Sequence, residues 1–224
     1  MINGSMVSLH LLNEATRTGI HALVPNDAIS QAAYEHVRSN LDPVILNHSL
    51  RTFLYALATS EKEQLPWHEP MRQPLLFVAA VFHDMGTTHS CDGPQRFEVE
   101  GADAAVAFLQ SHGVPDHDAH EVWVAIACHT CSGIAERISS MARCVRLGVL
   151  VDFKRPSVVA VLDADFVARV EAALPRDQPE KVLSEMVVEQ ALRQPSKAAA
   201  ATSPGVMTRF AKENPEWQGV NKEF

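Results

Sequence analysis

Residues 74–88, PLLFVAAVFHDMGTT, decide how this chain folds. Leu75–Phe82 is unbroken apolar sequence, so it has no face to offer water and is expected as a buried helix. It is far too short to cross a bilayer. Pro74 suits the first turn and Gly86 suits the stop, which predicts a helix over Pro74–Met85. His83 and Asp84 then fall in its last turn. Neighbouring helical residues diverge by about 100°, so the two cannot both pack into one core, yet at a helix end both can curl around one ion. A buried carboxylate is costly unless it is paired or coordinates a metal. The plainer alternative is a helix-end Asp84 paired with an adjacent histidine.

Helical spacing continues on both sides. Asn26-Asp27 marks a helix start, and Pro43 opens a helix running to about Ser60. Further helices are expected over Phe97–Ser111, Asp116–His129, Ser132–Phe153 with a break, Ser157–Leu174 and Pro179–Gln194. Strand patterning is thin. The fold class expected is all-α, a single helical domain over 1–224 with its core in 26–175. Lys197–Gly205 is expected as a surface segment. The tail 195–224, with Val206, Phe210 and Trp217, is expected to pack on the core or to serve as a lid or dimer contact.

In PVILNHSLRTFLYALA, Leu46, Leu50, Phe53, Leu54 and Leu57 share one helix face. His48 lies opposite, beside Val44, Arg51 and Tyr55, so the helix is buried on two sides and His48 points inward. A core histidine bonded to a backbone carbonyl is the ordinary fate of such a residue. Downstream, Asp152 in VRLGVLVDF is an acid embedded in apolar sequence. Asp163 and Asp165 are rivals, and spacing alone does not choose among the three.

A histidine, an HD pair 35 residues later and a distant aspartate form the pattern of HD-domain metalloproteins. NHSLRTFLYA, AAVFHDMGTT, RFEVEGADAA, VWVAIACHTCSGIAER and RLGVLVDF, in that order, resemble the cyanamide-hydratase-like branch of that family. The resemblance covers residues 44 to about 155. It implies an HD-type helical bundle around a metal, with His48, His83, Asp84 and Asp152 as ligands. Two imidazoles and two carboxylates suit Zn²⁺ first, with Fe²⁺ or Mn²⁺ as alternatives, and leave room for water.

Other candidates surround this set. His129 ends an apolar helix and is expected as a proton shuttle or a second metal ligand, against the alternative of a capped core histidine. Thr130 could bond a ligand, and Thr87, with Thr88, could orient ligands or substrate. Glu98 or Glu100 could act as an acid near the site or touch substrate, though acids at a helix start are also explained by the helix dipole. Arg51 could pair with a buried acid such as Asp84 or anchor an anionic substrate. His89 is expected in solvent. Cys128 and Cys131 form C-x-x-C but lack a second pair, so buried free thiols are expected.

A net charge of −8 argues against a nucleic-acid partner, and no span suggests a membrane. Four cysteines in a chain of 224 residues are no disulfide framework and suggest a cytoplasmic setting. No signal peptide is expected from the opening residues. The partner expected is a small-molecule substrate, with a homo-oligomer left open. The resemblance implies a metal-dependent hydratase or hydrolase, its nearest analogue the hydration of cyanamide to urea by a metal-bound hydroxide. An HD-type phosphohydrolase acting on a nucleotide or phosphoester is the first alternative; MGTT after the HD pair carries no lysine or acid. A non-catalytic, metal-stabilised binding protein is the second.

Overall fold

The computed structural model describes residues 6–158 and 161–216. Among these residues there are helices and turns but no strand, so the fold is all-α. Short helices α1 (Met6–Thr18) and α2 (Ala28–Arg38) precede the long α3 (Pro43–Lys62). Next come α4 (Gln73–Phe82), α5 (Phe97–Ser111), α6 (Asp116–Cys128), the single turn α7 (Ala135–Ile138) and α8 (Ser140–Asp152). The last three are α9 (Ala164–Ala173), α10 (Pro179–Arg193) and α11 (Ser203–Glu213).

Local chemistry sets these boundaries. Asp27 accepts a hydrogen bond from the Ser30 amide at the start of α2. Asp42 accepts from Val44, and Pro43 sits in the first turn of α3. Helix α4 is shorter than the sequence predicts. It ends at Phe82, and Met85–Thr87 winds into a separate tight turn. The HD pair therefore sits in the junction, where the backbone changes direction. The helix predicted over Ser157–Leu174 is also cut down. A turn at Pro156–Val158 comes first, and Asp163 caps α9 by accepting from the Phe166 amide. Residues 159 and 160 lie outside the described residues.

Helices α3 and α4 form the centre, and nearly every side chain of Ser49–Ser60 and Leu75–Phe82 is buried. Helix α8 crosses α3 at backbone distance: a Cβ on Gly148 would lie 2.6 Å from the Thr52 carbonyl oxygen. That close crossing is what brings the end of α8, with Asp152, next to His48 on α3. The apolar core reaches past 26–175 at both ends, taking in Leu12, Leu23, Leu183 and Met207.

The C-terminal segment belongs to this core. Lys197, in the stretch expected at the surface, is 2% exposed. Its ammonium donates to the Gly93 carbonyl at 2.8 Å and pairs with Asp92 at 3.1 Å. Its long stem is covered while its charge is matched, which the alanine-rich sequence around it conceals. Met207 is buried and Val206 half-buried; Trp217 lies outside the described residues.

Substituting Gly148→Ala forces a methyl against the α3 backbone. The expected cost is roughly 1–3 kcal/mol, a fall in Tm of about 3–10 °C. Calorimetry of the variant checks this, and an unchanged Tm contradicts the close crossing.

Candidate metal centre

His48, His83 and Asp84 are fully buried, and one ligand atom from each lies within 4.8 Å of the other two. His48 Nε2 stands 3.1 Å from His83 Nε2. Asp84 Oδ2 lies 3.1 Å from His83 Nε2 and 3.5 Å from His48 Nε2. The protons on these rings are fixed by what lies behind them. His48 Nδ1 donates to Asp152 Oδ2 at 2.6 Å, and His83 Nδ1 donates to the Ala80 carbonyl at 2.7 Å. With Nδ1 protonated in each ring, a neutral imidazole offers only a lone pair at Nε2. Three acceptors thus face one another with no exposure to bulk solvent. Among the described residues neither oxygen of Asp84 meets a hydrogen-bond donor. Such a cradle is stable around a cation, and its donor chemistry fits a divalent transition metal.

His129 repeats the arrangement. Its Nδ1 donates to the Ile126 carbonyl at 2.7 Å, and Nε2 lies 3.8 Å from Asp84 Oδ1. It is a histidine of the site, one step outside the inner three.

Asp152 is placed differently from the ligand role that the resemblance implies. Its carboxylate accepts from His48 Nδ1 and is gripped by Arg51, Nε to Oδ1 at 2.6 Å and Nη2 to Oδ2 at 2.9 Å. Arg176 adds a second guanidinium at 3.3 Å and donates to the Asp152 carbonyl. Asp152 therefore stands behind His48, on the side away from Asp84. Arg51, expected to pair with a buried acid such as Asp84 or to anchor an anionic substrate, is fully buried on the acid Asp152, and its Nη1 donates to the Leu174 and Pro175 carbonyls. The rival Asp163 is spent on capping α9, and Asp165 lies in that helix's first turn.

The remaining candidates act at one remove. Thr87 donates to the Asp84 carbonyl at 2.7 Å, closing the turn that carries the pair. Gly86 allows that turn to touch α5, since a Cβ there would meet the Phe97 carbonyl oxygen at 1.9 Å. Glu98 is buried but bound to Arg96, and accepts from the Thr130 hydroxyl at 2.6 Å. Thr130 also accepts from Arg96 at 2.9 Å, so its hydroxyl is committed and is not free for a ligand. Glu100 accepts from the Gln95 amide and His89 is exposed. All four cysteines are free thiols; Cys144 is buried, while Cys128 and Cys131 are only half-buried.

The inner residues open into a cavity of about 310 Å³, lined also by Phe97, His129, Val149, Phe153, Leu183 and Val206. Phe153 lies flat on His48, rings 4.8 Å apart and 2° from parallel. Phe153 and Arg176 were not singled out from the sequence, and Val206 was named only within a tail expected to pack on the core or act as a lid. Phe153 directly follows Asp152, and that adjacency was the available signal.

Burial would raise Asp84, but the neighbouring imidazoles outweigh it and hold the carboxyl down at about 2. Burial likewise opposes an ionised Asp152, and its bonds from His48 and Arg51 outweigh that too, so it stays an anion. Burial, reinforced by His83, pulls His129 down to about 3 and keeps it neutral. Burial also lowers His48, despite Asp152. In His83 the charge of Asp84 wins over burial and the pKa is raised. A proton and a cation therefore compete for the His83–Asp84 edge.

The HD domain family pattern matches residues 45–163, more than half of the chain, and the chain belongs to that family. Most of its members are metal-dependent hydrolases. Two Saccharomyces cerevisiae proteins, cyanamide hydratase DDI2 and cyanamide hydratase DDI3, are each 33% identical to this chain over 64 residues. The matched stretch covers 29% of this chain and 28% of each relative.

Acid should unfold the chelator-stripped protein early. An unfolded histidine takes up a proton near pH 6.5, while folded His129 resists until about 3. Stability held by neutral His129 and His48 is present above about pH 6.5 and lost as pH falls below it. Asp84, with its lowered value, adds to the loss from about pH 4 downward. His83 opposes in part, because its raised pKa favours the folded state in acid. The expected result is a Tm that declines from pH 6.5 to 4; a flat or rising Tm contradicts the neutral assignments.

Proposed function

We propose that this protein is a metal-dependent hydratase or hydrolase that adds water to a small uncharged molecule, in the manner of cyanamide hydration. The observation that carries the reading is the three-acceptor cradle of His48, His83 and Asp84, open to a cavity on one side. These three would hold Zn²⁺ in preference to Fe²⁺ or Mn²⁺, and three protein ligands leave a position for water. A bound divalent cation supplies Lewis acidity, polarising a water or a substrate nitrogen.

The chain's own groups do the rest. Asp152, fixed by Arg51 and Arg176, holds the His48 ring so that Nε2 faces inward. The Ala80 carbonyl does the same for His83. His129 turns a neutral Nε2 toward the cavity, where it can accept a hydrogen bond from an incoming water. Phe153 and Val149 shield the donors from bulk solvent, which strengthens every charge interaction there.

A phosphoester substrate would need free cations at the cavity. Arg146 lines it, but Nη1 donates to the His129 carbonyl at 3.0 Å and Nε pairs with Glu136 at 3.4 Å. That favours an uncharged substrate. The relatives' names supply the nitrile-like class; the matched stretch is a minor part of their length, so this class is carried by analogy.

Metal analysis with cyanamide-to-urea and phosphodiester assays tests the reading. The wild type is expected to carry about one divalent ion per chain and to hydrate cyanamide or small nitriles. His83→Ala and Asp84→Ala should lose metal and activity together while keeping most of their helicity. Asp152→Asn should bind metal roughly 10–100-fold more weakly, without abolishing uptake. Metal-replete protein that turns over only phosphodiesters would contradict the hydratase reading.

A further inference from the structure

The cavity is larger than a nitrile as small as cyanamide requires. One water occupies about 30 Å³ of liquid, so a three-heavy-atom molecule leaves most of the 310 Å³ unfilled. The apolar lining comes from Val149, Leu150 and Phe153 of the core, Leu183 of α10 and Val206 of α11. Three polar groups of the lining, those of Thr130, Thr202 and Arg146, are already engaged, and Ser132 and Ser203 add two small hydroxyls to it. Thr130 is bound to Glu98 and Arg96. Thr202 donates to the Ala199 carbonyl at 2.6 Å and accepts from the Gly205 amide at 3.3 Å. Arg146 is held by Glu136 and the His129 carbonyl. Apart from the hydroxyls of Ser132 and Ser203, what remains for a ligand away from the metal donors is chiefly apolar surface.

This wall is fixed. Arg193 and Lys197 both pair with Asp92, Gln190 donates to the Gly86 carbonyl at 3.0 Å, and Lys197 to Gly93. The segment before α11 is thereby tied to the loop that follows the HD pair. Gly205 packs so closely on the Ala199 carbonyl that a Cβ would lie 2.1 Å from its oxygen.

We infer that residues 201–206 are the specificity wall of the site, selecting an uncharged substrate whose reactive group carries an apolar body of about phenyl size. The inference rests on the metal-site reading above and goes beyond it in naming the substrate's shape.

The test uses zinc-loaded full-length protein and two probes sharing a metal-seeking head, acetohydroxamate and benzohydroxamate, compared by calorimetry. The wild type should bind benzohydroxamate roughly tenfold or more tighter. Val206→Trp, which fills the apolar end, should erase that preference and leave acetohydroxamate affinity within about twofold. Ser203→Phe provides a second filling variant should the first fold poorly. Equal affinities in the wild type, or a preference that survives a folded filling variant, overturns the inference alone. Protein that takes up no zinc overturns the metal-site reading and the inference with it.

Discussion

Two imidazole nitrogens and a carboxylate oxygen, each offering a lone pair when the rings are neutral, are held face to face inside a helical core. In water such groups would turn apart and hydrate. Here they cannot, because Asp152 and the Ala80 carbonyl fix the protons on the far side of each ring. The arrangement concentrates electron density where protein interiors least tolerate it. Only a proton or a metal ion can lie between them, and a divalent ion satisfies all three at once. The fold can be understood as the apparatus that maintains this conflict.

Each part of the apparatus has a physical cause. A helix as apolar as α4 must be central, so whatever follows it starts from the interior. The break after Phe82, closed by Thr87 on the Asp84 carbonyl, lets two consecutive polar residues aim at one point. Gly148 lets α8 approach α3 closely enough for Asp152 to reach His48. Two guanidiniums then hold Asp152 as an anion, so a chain of charge runs from Arg51 and Arg176 through Asp152 to the His48 ring. Breaking one partner of a buried pair is costly, which makes the positioning rigid.

Much of this is legible in the residues. Unbroken hydrophobicity in Leu75–Phe82 could mean little except a buried helix, and the two-sided burial of α3 put His48 inside. Prolines and aspartates at helix starts fixed boundaries because their chemistry is local. What stayed hidden depends on tertiary placement. Whether Asp152 meets an ion or the back of a histidine is a matter of a few ångströms between α3 and α8, and no spacing encodes it. Arg51 was visible as a buried cation, but its choice of Asp152 over Asp84 follows from how the helices cross. The polar, alanine-rich look of 195–205 hid a buried lysine, because its partners at Asp92 and Gly93 lie a hundred residues away. Val206 entered the cavity wall by the same route.

Which atoms face a bound ion is the decisive point. Anomalous diffraction at the zinc edge, from crystals of zinc-loaded protein, locates it directly. The expected result is zinc within about 2.0–2.2 Å of His48 Nε2, His83 Nε2 and an Asp84 oxygen, with Asp152 still bound to His48 Nδ1 and Arg51. Zinc bound by the Asp152 carboxylate itself, or lodged away from the His83–Asp84 pair, would contradict it.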